Sequence, residues 1–188
     1  MKKRKIIVFD FDKTLTKKDT LFGFFLFAAN KNLCCYLKVI YYCFLMLLAK
    51  IDLIKNERLK SKGIQLFLSP LSKEQLKFKF KNYHNTIVFN SLYSNLDFAE
   101  DANYFVISAS FQDYIRPIFP DFINVIGSTI KYKDDVAQGL LFNCYKEGKV
   151  QLLKAQDIQE IDTLYTDSFS DFELAKIKIN VLKSELIN

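Results

Sequence analysis

Histidine is almost missing from this chain: His84 is the only one, and the four cysteines, Cys34, Cys35, Cys43 and Cys144, contain no CxxC pair. That scarcity excludes a zinc site of the usual Cys/His type. His84 reads as a surface residue and Cys144 as a packing residue. Cys34, Cys35 and Cys43 lie in an apolar stretch and read as small buried hydrophobes, which suits a reducing, cytoplasmic compartment. No internal repeat or low-complexity linker interrupts the sequence. The N-terminus does not read as a signal peptide: the basic start, Lys2 to Lys5, is followed by only Ile6 to Phe9 before Asp10 and Asp12 intervene.

What is present is a chain of 188 residues, half of them hydrophobic, enough for one core domain with an inserted module. The formal charge of +6 suits anionic partners such as phosphorylated metabolites or acidic lipid head groups. No nucleic-acid-binding motif accompanies that charge, so no nucleic acid is expected as a partner.

Ile6-Ile7-Val8-Phe9 is a short β-branched run bounded by charge, the pattern of a central parallel strand. From Leu21 to Asn95 the pattern is mostly helical: Leu21 to Ala29 is nearly all apolar, and Leu33 to Ala49 is interrupted only by Lys38. Ser72 predicts an N-cap for a helix running through Leu76, Phe78 and Phe80. Strands are then expected at Tyr104–Ile107, ending in Ser108-Ala109-Ser110, and at Phe122–Ile126. A short helix from Phe111 towards Pro117 lies between them. Ser128–Tyr132 and Leu140–Phe142 flank a polar turn at Asp134-Asp135 and predict a hairpin with a solvated tip. A helix over Lys149–Ala155, a strand at Thr163–Thr166, a short helix and a strand near Ile177–Leu182 complete the chain. This alternation predicts an α/β fold, a Rossmann-like parallel sheet flanked by helices, with an inserted helical cap. The expected division is a core of residues 1–17 and 100–188 and a cap of residues 18–99.

Acidic and hydroxyl residues end three of the predicted strands, and ligand sites of such sheets lie at the carboxyl ends of strands. The groups near Asp10, Ser108 and Asp167 are therefore expected to share one edge of the sheet. Two aspartates at i and i+2, as in Asp10-Phe11-Asp12-Lys13-Thr14, are weak evidence alone. The order of four such segments is more specific. After the first come Ile107-Ser108-Ala109-Ser110, Lys146-Glu147-Gly148-Lys149-Val150 and Asp167-Ser168-Phe169-Ser170-Asp171.

These four segments resemble the ordered motifs of the haloacid dehalogenase (HAD) superfamily, including its DxDxT signature, over about residues 5–176. The position of the helical stretch is most similar to the phosphoserine-phosphatase-like subclass. The resemblance implies an Mg²⁺-dependent phosphomonoesterase. Asp10 would be the nucleophile that forms an aspartyl-phosphate, and Asp12 the general acid and base. Thr14, Ser108 and Ala109 would bind the phosphoryl group or order its loop. Lys149 would neutralise phosphoryl charge. Magnesium would be held by the Asp10 carboxylate, the Asp12 carbonyl and Asp167, with Asp171 acting directly or through water. Lys146, three residues from Lys149, is the other candidate lysine; the apolar helix start after Lys149 favours the latter. Lys13 stands where many relatives have glycine, and its side chain is expected to face solvent.

The apolar helical stretch has two readings: helices packed on each other and on the core, or a surface that contacts a membrane or a lipid tail. Leu33–Ala49 is shorter than the ~20 residues of a confident transmembrane helix. Its composition resembles the phosphatidylglycerophosphate phosphatase branch, which implies a lipid phosphate and a peripheral position at the inner membrane face. A soluble phosphorylated metabolite is the other substrate class. Phosphoryl transfer to another alcohol through the same intermediate, and a non-catalytic regulatory protein, are the alternatives to hydrolysis. The second would be expected to lack a catalytic carboxylate.

Overall fold

The computed structural model describes residues 4–29, 33–98 and 101–167, and the backbone of residues 180–186. Its sheet has six strands in the order β4-β3-β2-β1-β5-β6. These are β1 (Lys5–Asp10), β2 (Ala102–Phe111), β3 (Asn124–Lys133), β4 (Val136–Phe142), β5 (Glu160–Thr166) and β6 (Asn180–Leu186). All neighbours pair in parallel except β3 and β4, which form a hairpin at one edge. The architecture is the predicted α/β, Rossmann-like one.

Both faces of the sheet are covered, which is why β1 reads as a continuous apolar run. Side chains alternate along a strand. Val8 accordingly joins a cluster with Phe105, Ile107, Val150 and Leu153, while Phe9 joins the larger cluster that holds Val106, Phe24 and Tyr114. The smaller cluster is roofed by α7 (Glu147–Ala155).

The larger cluster lies under the helical segment between β1 and β2. This comprises α1 (Leu21–Ala28), α2 (Leu33–Lys50), α3 (Asn56–Gly63), a π-helical turn (Ile64–Leu68), α4 (Lys73–Tyr83) and the single turn α5 (Ser91–Ser94). A further single turn, α6 (Gln112–Ile115), follows β2. Aromatic rings lock the segment to the sheet: Phe24 stacks on Phe80 at 5.0 Å and meets Phe111 edge-on at 6.2 Å. Such pairs add about 0.5–1.5 kcal/mol beyond the area they bury. Ser72 caps α4 in a capping box with Gln75, as its position predicts.

Four expectations need correction. β2 does not stop at Ser108. It continues to Phe111 with its register to β3 shifted after Ile107, so the serines sit in an irregular strand end. The expected strands Phe122–Ile126 and Ser128–Tyr132 are one strand, β3, passing through Gly127. A Cβ there would lie 2.8 Å from both the Gln112 nitrogen and the Ser110 oxygen, so this glycine permits a close crossing and does not mark a break. β6 begins three residues later than expected, and the helix expected before it falls outside the described residues. Finally, Cys34 and Cys43 are exposed and Cys35 is half-buried. The reason is that α2 buries only Tyr42 and Leu45, and the rest of this apolar helix lies on the surface. The hairpin tip Asp134-Asp135 is exposed as expected, with φ of 50° and 60° at its two residues.

Candidate active site

Asp10 is the last residue of β1. Alternation turns it to the same face as Val8, the face that α7 covers. From α7, Lys149 places its Nζ 2.5 Å from Asp10 Oδ1, and both side chains are buried. Between the two candidate lysines the geometry is clear: Lys149 meets Asp10, whereas Lys146 is exposed and reaches over the Tyr145 ring at 5.6 Å. Gly148 makes this entry to α7 possible, because any Cβ there would collide with the Asn143 carbonyl.

Past β1 the chain turns tightly. Lys13 has φ of 61°, a left-handed conformation that glycine adopts at least cost, and its side chain points to solvent. The turn carries Asp12 to a ring of donors. Thr20 gives its N–H (2.7 Å) and hydroxyl (2.6 Å) to Oδ1, and Ser108 (3.1 Å) and Ser110 (2.6 Å) give theirs to Oδ2. Thr20 is itself fixed, its hydroxyl 2.8 Å from that of Tyr114 and its carbonyl accepting from the Tyr83 hydroxyl at 2.7 Å. Burial and the Asp12 charge push the Tyr114 hydroxyl well above its ordinary pKa, so it stays protonated. Thr14 is fully buried, its carbonyl accepts from the Asn90 side chain, and its Oγ1 has no hydrogen-bond partner among the described residues. An unmet buried hydroxyl costs about 1–3 kcal/mol, so a bound oxyanion or water would complete this site.

A second lysine arrives from the helical segment. Lys60 of α3 is buried, and its Nζ donates to the Ala109 carbonyl at 2.5 Å, Asn143 Oδ1 at 2.8 Å and Ser128 Oγ at 3.3 Å. Burial pulls its pKa down to about 8, against the opposing pull of Asp12 and Asp19. Asp19 lies at the rim and keeps contact with solvent. Even so, desolvation first and the Asp12 charge second raise its carboxyl above the ordinary range.

The register of β1 with β5 sets Phe9 opposite Tyr165, so Asp167, just past β5, leaves the sheet at the edge where Asp10 and Asp12 lie. Asp171 falls outside the described residues. Among the described residues no three His, Cys, Asp or Glu side chains form a closed metal cage. Among the described residues the candidate cation ligands at this edge are the Asp10 and Asp167 carboxylates and the Asp12 carbonyl. Such an oxygen donor set, with positions for water, is of the kind that Mg²⁺ takes.

A family model described as haloacid dehalogenase-like hydrolase matches residues 7–176, a span that contains all of these residues. The chain belongs to the haloacid dehalogenase-like hydrolases. This hydrolase shares its fold with solved structures of low identity. A protein of unknown function from Bordetella pertussis Tohama I has a TM-score of 0.69 at 18% identity, over 93% of this chain and 87% of that one. A phosphoserine phosphatase solved as a phospho-aspartyl intermediate analogue has 0.57 at 17%, over 93% and 83%. Cytosolic 5'-nucleotidase IIIB bound to cytidine has 0.56 at 13%, over 96% and 72%. At such identities the likeness is one of fold. No curated protein matches the sequence.

Sequence reasoning missed Thr20, Ser110, Tyr114 and Lys60. Ser110 carried a signal, since it shares the Ser108-Ala109-Ser110 segment. Lys60 carried none: in Asn56-Glu57-Arg58-Leu59-Lys60-Ser61-Lys62 it looks like one more solvated charge.

Proposed function

We propose that this hydrolase cleaves phosphate monoesters by attack of Asp10 on phosphorus, followed by hydrolysis of the aspartyl-phosphate. The observation that carries the reading is the buried Asp10–Lys149 pair at 2.5 Å, set beside a second carboxylate, Asp12, gripped by four donors. An anionic nucleophile approaching a phosphate dianion is repelled unless positive charge surrounds the oxygens. Lys149 supplies one such charge at the nucleophile, and its short contact holds the attacking carboxylate in place.

Asp12 hands a proton to the leaving alkoxide as the Asp10 carboxylate bonds to phosphorus and the ester P–O bond breaks. It then takes a proton from the water that releases phosphate. The Thr14 hydroxyl, unmet in this structure, and Ser108 with the Ala109 main chain receive the phosphoryl oxygens. Asp10, the Asp12 carbonyl and Asp167 would hold Mg²⁺, with Asp171 behind them. When bound, Mg²⁺ supplies charge neutralisation at the phosphoryl group.

Residues 18–99 act as a cap over the core of residues 1–17 and 100–188, and the cap selects the leaving group. The substrate is a lipid phosphate or a small phosphorylated metabolite. The cysteines, none of them in a disulfide among the described residues, accord with work in the cytoplasm.

The test is hydrolysis of a generic aryl phosphate by the purified protein, with Mg²⁺ and with EDTA. Asp10→Asn is expected to abolish turnover while the protein stays folded, with a lower melting temperature because Lys149 loses the carboxylate it meets. Undiminished activity in that variant removes Asp10 as nucleophile.

A further inference from the structure

The outer face of α2 is apolar and uncovered. Leu33, Leu37, Ile40, Phe44, Leu47 and Ile51 recur every three or four residues along one stripe, and each is between 55% and 81% exposed. A helix apolar on its outward side as well as its inward side belongs in a core or against lipid, and monomeric proteins rarely expose so long a stripe. From this geometry we infer that α2 seats the protein on the surface of an anionic lipid bilayer, with the helix axis in the membrane plane.

Three observations select that occupant and that orientation. The first is charge. No Asp or Glu occurs from Leu21 to Ile51, where the charged residues are Lys31, Lys38 and Lys50. Lys50 is exposed at the end of the helix and Lys55 just beyond, with the exposed Asp52 between them. Lysines flanking an apolar stripe suit anionic head groups. The second is the exposed pair of rings at Tyr36 and Tyr41, side chains that favour the boundary between head groups and acyl chains.

The third is topology. At 18 residues α2 is about 27 Å long, close to the ~30 Å of a hydrocarbon core, and length alone would allow it to cross. Its two ends forbid crossing. Thr20, just before α1, binds Asp12, and Lys60, in α3, binds Ala109; Asp12 and Ala109 lie together at one sheet edge. A spanning α2 would put Thr20 and Lys60 on opposite sides of the bilayer. Its inner face is also committed, since Tyr42 packs against the rings of Phe22, Phe25 and Phe67. Only the outer stripe is left for lipid, as in helices that lie in the interface.

Docking also orients the protein. A cleft of about 350 Å³ opens where α2 ends, and its lining mixes Lys55 and Lys146 with Asp52, Glu57 and Glu147 beside Asn143. Asn143 in its wall accepts from Lys60, which touches the Ala109 carbonyl of the catalytic edge. The lipid-facing helix and the catalytic edge thus adjoin through this cleft.

The experiment is flotation of the full chain with vesicles of phosphatidylcholine plus phosphatidylglycerol, and with phosphatidylcholine alone. The reading is independent of catalysis, so an inactive protein that floats would leave it intact. The parent is expected to float with the anionic vesicles and much less with the neutral ones. Leu37→Glu combined with Phe44→Glu should lower the bound fraction roughly tenfold or more, with unchanged melting. Should that pair melt early, Leu33→Ser with Leu47→Ser keeps the test, with a smaller loss expected. A parent that stays unbound with both vesicle types, or folded variants that float as the parent does, would overturn the inference. Sedimentation without lipid should show a monomer. A dimer that the paired variant dissociates, with no flotation, would assign the stripe to a second copy and overturn the bilayer.

Discussion

Lys149 on α7 and Lys60 on α3 are both almost wholly buried at the same sheet edge, yet their surroundings differ in kind. Lys149 meets a carboxylate, Asp10, at 2.5 Å. Lys60 donates to two carbonyl-type oxygens and a hydroxyl, none of them charged, and its pKa falls to about 8. A cation that is paired in the resting fold holds a nucleophile still. A cation held only by neutral oxygens keeps its charge at a cost, and that charge is available to an incoming anion. On the proposed mechanism the core lysine would serve the attacking group, and the lysine of the helical segment would serve what the substrate brings.

Removing the first should do most harm. Lys149→Met removes the ammonium that meets Asp10 Oδ1, and breaking a buried pair from one side costs about 3–5 kcal/mol in unfolding experiments. Aryl phosphatase activity should fall by roughly a thousandfold or more.

Lys60→Met should break the symmetry between the two lysines. A loss of activity nearer a hundredfold is expected, with stability at neutral pH held or improved, because a buried charge facing only neutral oxygens is replaced by an apolar chain of similar length. A Lys60→Met protein as unstable as Lys149→Met would show the two lysines to be alike.

Raising the pH sharpens the contrast. Above 10.5 Lys60 is neutral in both folded and unfolded chains. Between about 8 and 10.5 the unfolded chain holds the proton and the folded one releases it. Stability therefore rises with pH in that window, and the penalty is fully present below about 8. Relative to Lys60→Met, the parent should gain on the order of a few kcal/mol between pH 7.5 and 10.5, measured by urea unfolding at each pH. Parent activity should fall as pH climbs through 8, a limb that the Lys60→Met profile lacks.

The smallest effect is expected from Ser110→Ala, which removes one of the four donors to Asp12. A decrease of roughly tenfold in kcat, with KM nearly unchanged, would place this hydroxyl in the support of Asp12 and not in substrate binding.

What could be read from the sequence followed from periodicity. β1 is a continuous apolar run that ends at Asp10, so this carboxylate could be expected at the carboxyl edge of the sheet, and Lys149 was marked by the apolar Val150, Leu152 and Leu153 that follow it. Ser72 and Gln75 act within four residues and were equally legible. Lys60 was not, because its partners Ala109, Ser128 and Asn143 are 49, 68 and 83 residues away. Gly127 misled for a similar reason: the crowding that requires it comes from Ser110 and Gln112 in another strand end. The cysteines of α2 misled because apolar composition reports that a surface avoids water, not which surface covers it.

One carboxylate joins three stretches of backbone. Asp12 is tethered at once to the residue that launches α1 and to two positions in the irregular end of β2, so it works as a rivet besides its proposed part as a proton carrier. Replacing it with alanine should loosen the seam between sheet and helices and lower the melting temperature. A dead Asp12→Ala enzyme would therefore mix two injuries, and only Asp12→Asn, which keeps an acceptor oxygen for part of the ring, can isolate the lost proton transfer from the lost fastening.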